Sequence, residues 1–331
     1  MVTTTYQTYR QVGIKEDLSN EISDISPEET PVFTMIQRGA PCRNTMPEWQ
    51  KDSLATAIGT NRAIEGADAS YLTATPTTRL RNYTQISVKA VLVSGTANAV
   101  NTAGREEELA YQIAKRGREL KRDMEVAITG NYASNAGASA TARVSAGMEA
   151  WMTTNTIYGG TAGATDGADG GYTAAGTVTA ATDGSSSNLR TITEAILKSC
   201  LKLCWTEGGQ PTMVVVGAYN KQKISAFSGI TTKYSDFGNN PGSSASLAII
   251  AAADIYLHDF GKVKIVPDRF SRGRTALVLD TNYWALRYLR PMKVEELAKT
   301  GDATKKHLLC EWTLQSKNEA ASGKIADCFT A

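Results

Sequence analysis

Residue types that ordinarily carry chemistry are few in this chain, and their spacing brings none of them together. The two histidines, His258 and His307, fall on separate predicted strands, and neither stands in an HExxH frame. Cys200 and Cys204 lie four apart on one predicted helix, a spacing that metal ligands can use, but no second pair and no nearby histidine completes a tetrahedral set. They read as core thiols. Asp166, Asp169 and Asp183 sit beside glycines without the alternate-position oxygens and closing glutamate of a calcium loop. General acid–base work needs paired carboxylates in a cleft, and nothing in the residue order selects a pair. A GxSxG elbow and a phosphate-binding loop are absent. Asn82-Tyr83-Thr84 fits a glycosylation sequon, which has meaning only in a secreted protein. No catalytic residue, metal or cofactor is expected, so the chain does not read as an enzyme.

The elements that must position these residues are clearer. Residues 105–129 place Leu109, Ile113, Gly117, Leu120, Met124 and Ile128 at steps of three or four, a single apolar seam on one face of a helix. The other faces balance basic against acidic side chains, with Lys121 and Glu125 spaced to meet, and acidic residues open the helix where its dipole is positive. At ~1.5 Å per residue the rod is about 38 Å long. A narrow seam with charge elsewhere predicts a helix lying along a surface and offering charged faces to neighbours.

Composition bounds the rest. The 331 residues, 42% of them hydrophobic, suffice for two or three compact units. Lys plus Arg total 35 against 33 for Asp plus Glu, a net charge of +2 that argues against a dominant basic field but allows a local patch. No apolar run approaches the length of a membrane span, and residues 1–17 lack a basic then apolar leader, so a soluble protein with no membrane partner is expected. Five scattered cysteines predict reduced, mostly buried thiols.

Along the chain, residues 1–46 read as a polar arm. Residues 15–25 predict one or two helical turns ended by Ser26-Pro27, followed by a second short helix capped either by Ser26 or by Thr30. The arm must lie on its own body or on a neighbour. Residues 47–96 form an extended hairpin whose return limb alternates Ile86, Val88, Ala90 and Leu92 with Gln85, Ser87, Lys89 and Val91, the pattern of a half-exposed strand. The stretch between its limbs fits either a mobile loop or a grip on another molecule. Residues 135–187, rich in Gly, Ala, Thr, Ser and Asp, read as a flexible or variable surface loop. Beyond them, Leu189, Ile192, Ile196, Cys200 and Leu203 share a helical face, and strands at 212–216, 254–258, 263–266 and 276–279 complete a small α/β unit. Leu308, Cys310, Trp312 and Leu314 alternate with Leu309, Glu311, Thr313 and Gln315 along a late strand that 324–328 closes as a hairpin. The fold class is α+β. One segment is biased in charge: Lys262, Lys264, Arg269, Arg272, Arg274, Arg287, Arg290 and Lys293 are opposed by Asp268 and Asp280. A solvated face, internal acidic partners, and contact with a polyanion or an acidic neighbouring subunit all fit it.

The succession KEDLSNEISDISPEETPVFTMI, PEWQKDSLATA, AIEGADAS, RLRNYTQI and VSGTANAVNTAGREEELAYQIAKRGRELKRDMEVAI, with CEWTLQSKNEAASGKIADC near the C-terminus, resembles the major capsid proteins of tailed phages of the SU-ten-like group. Residues 135–187 depart from the resemblance. It implies the Hong Kong 97-type (Johnson) capsid fold, with an N-terminal arm at 1–46, an E-loop at 47–96, a peripheral domain at 97–187 containing a spine helix at 105–129 and the Gly-rich loop, an axial domain at 188–297, and peripheral return strands at 298–331.

The function so implied is self-assembly, as pentamers and hexamers of this chain, into an icosahedral shell around phage double-stranded DNA. Synthesis would be in the host cytoplasm and residence in the virion, with a portal and scaffolding or cement proteins as further partners. No scaffolding-like helical segment precedes the arm, so scaffolding would be a separate chain or a removed segment. No motif here licenses covalent cross-linking of subunits. The assembly candidates are Trp49, Asp52, Glu65, Arg79, Asn82 and Tyr83 in the E-loop and Arg116, Glu119 and Arg122 on the spine. Lys262, Lys264, Arg269, Arg272, Arg274, Arg287 and Arg290 are candidates for DNA or acidic-neighbour contact without sequence readout. Another virion component or a non-viral compartment shell of the same fold is the alternative.

Overall fold

The structure, a computed structural model, describes residues 26–66, 68, 71, 73–100, 102–104, 107–160, 166–227 and 255–330. The predicted turns at 15–25, the first two residues of the predicted rod (Arg105 and Glu106) and Asp254 lie outside the described residues.

Residues 26–46 contribute α1 (Pro31–Met35) and β1 (Gln37–Arg38), and an excursion rises from β2 (Glu48–Lys51) and returns through β3 (Thr78–Arg81) and β4 (Gln85–Ser94). The short α2 (Gly95–Ala99) leads to the spine, α3 (Glu108–Thr129), and then to α4 (Met148–Trp151), β5 (Thr156–Ile157), β6 (Gly171–Tyr172) and β7 (Val178–Thr179). Next come α5 (Glu194–Thr206), β8 (Met213–Val216), α6 (Ala218–Ser225), β9 (Ile255–His258), β10 (Gly261–Pro267) and β11 (Ala276–Leu279). The long β12 (Trp284–Glu296) and β13 (Ala303–Ser316) precede the short β14 (Gly323–Ile325). Thr30, not Ser26, stands at the N-cap of α1, which puts Pro31 at the first helical position where its missing N–H costs nothing.

Two sheets organise these elements. One has the order β1-β12-β13-β4, antiparallel except where β1 adds in parallel to β12. The other has the order β5-β14-β11-β8-β10-β9, and every residue of its inner strands β8 (MVVV) and β11 (ALVL) is buried, as expected of strands covered on both faces. The spine seam seats on the first sheet. Leu120, Met124 and Ile128 share a core with Trp284, Cys310, Trp312 and Leu314, while Leu109 packs on Val91 and Val93 with Ile113 beside them. Each such side chain removed from water contributes about 1.5–3 kcal/mol, so the narrow seam alone anchors the rod firmly.

Several local expectations are corrected. On β4 the apolar phase Ile86, Val88 and Leu92 faces outward, and Ser87, Lys89, Val91 and Val93 face the spine. The reason is specific pairing: Ser87 Oγ accepts from Trp312 Nε1 at 3.0 Å, and Lys89 meets Asp123 at 2.6 Å. On α5 the buried set is Leu197, Cys200, Leu201 and Cys204, with Leu203 exposed. The Gly-rich stretch is tied down in its described part: β6 pairs with β7, Val178 is buried, and Asn131 bonds both the N–H and the C=O of Ala181. The final strands do not close as one hairpin. β13 lies in the first sheet and β14 crosses to the second, between β5 and β11.

Candidate assembly surfaces

The excursion between β2 and β3, the proposed E-loop, stands on a densely hydrogen-bonded root. In the β2–β3 ladder Trp49 sits opposite Leu80; its indole N–H donates to the Ser316 carbonyl at 2.6 Å, and its ring lies 5.8 Å from Trp151, which stacks on Tyr172 at 5.7 Å. Arg81 donates to the carbonyls of Ala175 and Gly176 at 2.6 and 2.7 Å. Gly176 has φ +78°, a conformation that favours glycine, and a Cβ there would also press on the Arg81 guanidinium at 2.2 Å. Asn82 is fully buried: its Nδ2 donates to the Leu314 carbonyl at 2.8 Å, and its Oδ1 accepts from the N–H groups of Ala146 and Tyr83 at 3.0 and 2.9 Å. Trp49 and Asn82 therefore belong to the foundation of the loop and are not free anchors. Tyr83 is half-buried beside them.

Beyond the ladder the character reverses. Leu54, Ile58, Ile64 and Tyr71 are 99%, 68%, 83% and 94% exposed, on a loop where Asp52 and Glu65 are also exposed and Arg79 pairs with Glu48 at 3.3 Å. The sequence reading missed these four. Their signal was present, since large apolar residues recur in a stretch too polar to form a core. Scattered exposed apolar side chains are ordinary, and these four stand on one excursion, uncovered among the described residues.

The spine's charges are largely engaged within the chain. Arg116 pairs with Glu119 at 2.6 Å, and that hydrogen bond holds the Glu119 carboxyl below its usual range. Arg118 pairs with Glu28 of the arm, and the Arg122 guanidinium lies 5.2 Å from the Phe270 ring centroid. Glu125 does not meet Lys121. It is buried and accepts from the backbone of α1.

The basic segment divides into two groups. Arg272 meets Glu149 at 2.7 Å and Asp183 at 2.5 Å; Arg274 meets Asp327 at 3.0 Å; Arg290 meets Glu311 at 2.9 Å; Arg287 donates to the Ala40 carbonyl at 2.9 Å. These four have partners within the subunit, the internal-partner reading of the segment. Lys262, Lys264 and Arg269 remain on exposed positions at and just after β10. Lys324, fully buried on β14, meets Asp169 at 3.2 Å and the Glu149 carbonyl at 3.1 Å, and burial pushes its pKa down. This network clasps the Gly-rich stretch to the second sheet.

Nothing resembling a catalytic centre accompanies these surfaces among the described residues. His258 and His307 lie in different sheets, all five cysteines are free and buried, and no cluster of His, Cys, Asp and Glu could hold a metal. No helix there is long and apolar enough to cross a membrane. The sequence profile of the SU10 major capsid protein family matches residues 1–329. The chain belongs to that family.

This SU10-family chain is 41% identical over 122 residues to the major capsid protein of Escherichia phage Phieco32, a match covering 37% of this chain and 34% of the relative, about a third of its length. Solved structures share the Hong Kong 97-type fold at low identity. The capsid of cyanophage P-SCSP1u has a TM-score of 0.56 at 12% identity, covering 100% of this chain and 97% of that one. The capsid of a native GTA particle has 0.59 at 14%, covering 98% and 100%. An encapsulin complex from Synechococcus elongatus has 0.54 at 11%, covering 98% and 95%.

Proposed function

We propose that this chain builds a closed icosahedral shell of many copies around phage double-stranded DNA, as a structural component of the virion and not as an enzyme. The observation that carries the reading is the E-loop itself: an ordered root of Trp49, Arg81 and Asn82 presenting Leu54, Ile58, Ile64 and Tyr71 to solvent. A rigid mount with an uncovered apolar tip suits a grip on the next copy, and many modest contacts repeated over a closed lattice give a stable shell. Tyr83 and Arg79 border that grip, with Asp52 and Glu65 as its polar rim. Arg116, Glu119 and Arg122 act on the spine as a half-exposed charged margin between copies. Lys262, Lys264 and Arg269 are the cations left for the packaged DNA or an acidic neighbour, with no base readout. Portal and scaffolding or cement proteins complete the assembly.

Deleting residues 55–74 leaves the β2–β3 ladder intact and tests the proposal. The expected product is a folded subunit, by circular dichroism and cooperative unfolding, that yields no closed particles in negative-stain micrographs. Normal particles from this deletion would overturn it. Particles from the unaltered chain that exclude DNA under packaging conditions would favour a compartment shell instead.

A further inference from the structure

Strand β4 ends the first sheet and is ten residues long, and no other strand with an open edge among the described residues is longer than four. One side of its backbone is bonded to β13 in a register that runs without a break from Gln85↔Trp312 to Ser94↔Ala303. On the other side no strand, turn or side chain among the described residues supplies a partner to the backbone between Ile86 and Val93. Half of the N–H and C=O groups of this stretch therefore point away from the sheet in a row.

Edges of native sheets are ordinarily blunted by proline, a bulge, short length or an outward lysine. This edge has none of these. The segment QISVKAVLVS contains no proline, its pairing with β13 has no bulge, and its one charge, Lys89, turns inward to Asp123 at 2.6 Å. The outward row is Ile86, Val88, Ala90 and Leu92, with Ile86, Val88 and Leu92 46%, 53% and 65% exposed. A long, flat, apolar edge without a charge on it is a template for another strand. The occupant that matches it in length, in lack of charge and in having an open edge of its own is β4 of a second copy. Antiparallel about a two-fold axis at Ala90, Val88 of each copy faces Leu92 of the other and Ala90 faces Ala90, so the two apolar rows merge. On the inward face Lys89 then meets Val91 and not a second lysine.

We propose that two copies of this chain join edge to edge, β4 to β4 and antiparallel, which turns two four-stranded sheets into one continuous sheet. The pairing rests on the reading that copies of this chain assemble, and it names a second contact besides the exposed tip between β2 and β3. A single strand ladder is small beside the roughly 1,200–2,000 Å² buried in a stable complex. The ladder therefore forms where other contacts already hold copies side by side, and the subunit alone stays unpaired at low concentration.

Ala90→Cys puts an exposed thiol at the centre of the proposed ladder, while the five native cysteines are buried. Mild oxidation of particles built from this variant should give disulfide-linked dimers on non-reducing denaturing gels. Adding Val88→Lys and Leu92→Lys, which sets lysine against lysine across the ladder, should abolish them. In the unaltered chain the outward amides between residues 86 and 93 should exchange more slowly in particles than in free subunits. Intact particles without the dimer, a dimer that persists in the lysine variant, or amides that exchange alike in both states would overturn the pairing and leave the shell reading in place. Slowed amides without the dimer mean that a different strand fills the edge, which overturns it as well. If no particles form, the shell reading falls, and oxidation of the concentrated soluble chain decides the pairing, with absence of the dimer counting against it.

Discussion

Arg272 and Glu149 meet at 2.7 Å across the boundary between the second sheet and the segment that follows the spine, with the glutamate side chain 3% exposed. The same Glu149 oxygen accepts from Thr275 at 2.9 Å, and burial still pushes the carboxyl above its usual range despite the adjacent guanidinium. Removing one member of such a pair strands the other. Arg272→Ala should lower unfolding free energy by about 3 kcal/mol, as expected for an uncompensated buried charge. Urea unfolding measures it, and a change within the range of ordinary surface substitutions would show the pair to be structurally idle.

Gly117 lies on the seam of the spine helix, and a Cβ there would meet Leu308 Cδ2 at 3.6 Å, an ordinary contact. Gly117→Ala should therefore gain about 0.5–1 kcal/mol through the helical backbone, seen as a higher midpoint in thermal or urea unfolding. A loss of stability would mean that the spine must shift against β13 to accept a methyl group.

Gly147 gives the opposite result. A Cβ there would fall 2.1 Å from the Gly130 carbonyl oxygen and 3.0 Å from that of Ala127, both backbone atoms at the end of the spine. Gly147→Ala should destabilise by about 2 kcal/mol or more, because no side chain can move aside. Equal midpoints for Gly147→Ala and the parent chain would contradict this packing.

Glu311 accepts from Thr84 at 2.9 Å, Arg143 at 2.6 Å and Arg290 at 2.9 Å. Burial alone would raise its pKa, but these hydrogen bonds outweigh burial and hold the carboxyl below its usual range. A carboxylate depressed by folding adds stability above its unfolded pKa, and that stability is lost as pH falls through the folded value. Glu311→Gln should thus be less stable at neutral pH and show a shallower loss on acidification below about pH 4. Parallel acid limbs for the two chains would sink the assignment.

Leu54→Ser and Tyr71→Ser together should leave unfolding unchanged within about 0.5 kcal/mol, since these side chains are 99% and 94% exposed, while reducing particle yield. Sedimentation of assembly reactions separates the two effects, and an undiminished particle fraction would remove the E-loop tip from the interface.

What the sequence disclosed follows from periodicity. The seam Leu120, Met124 and Ile128 obeys helical spacing and is buried as its pattern implies, whereas on β13 Glu311 and Thr313 are buried along with Cys310, Trp312 and Leu314, so its alternation did not show which face is covered. The phase of β4 was not legible, because apolar residues occupy both of its faces and the choice was made by distant partners, Trp312 and Asp123. Glu125 read as one charge among many on a solvated rod, since its partners are backbone N–H groups that leave no mark in composition. Asn82 and Arg272 were nominated for contacts outside the subunit and instead satisfy carbonyls and carboxylates within it. A polar residue's type shows that it needs a partner; it does not show which molecule supplies one.

The crossing of the chain between sheets after Ser316 governs the order in which the subunit can mature during synthesis. β13 is an inner strand of one sheet and β14 of the other, and both follow every other strand among the described residues. Neither sheet can close around its core until residues 303–325 have emerged from the ribosome, so earlier strands wait with unpaired edges. Long-range pairing of this kind is slow and leaves aggregation-prone intermediates. A stalled product ending before residue 303 should therefore be a substrate for chaperones and proteases.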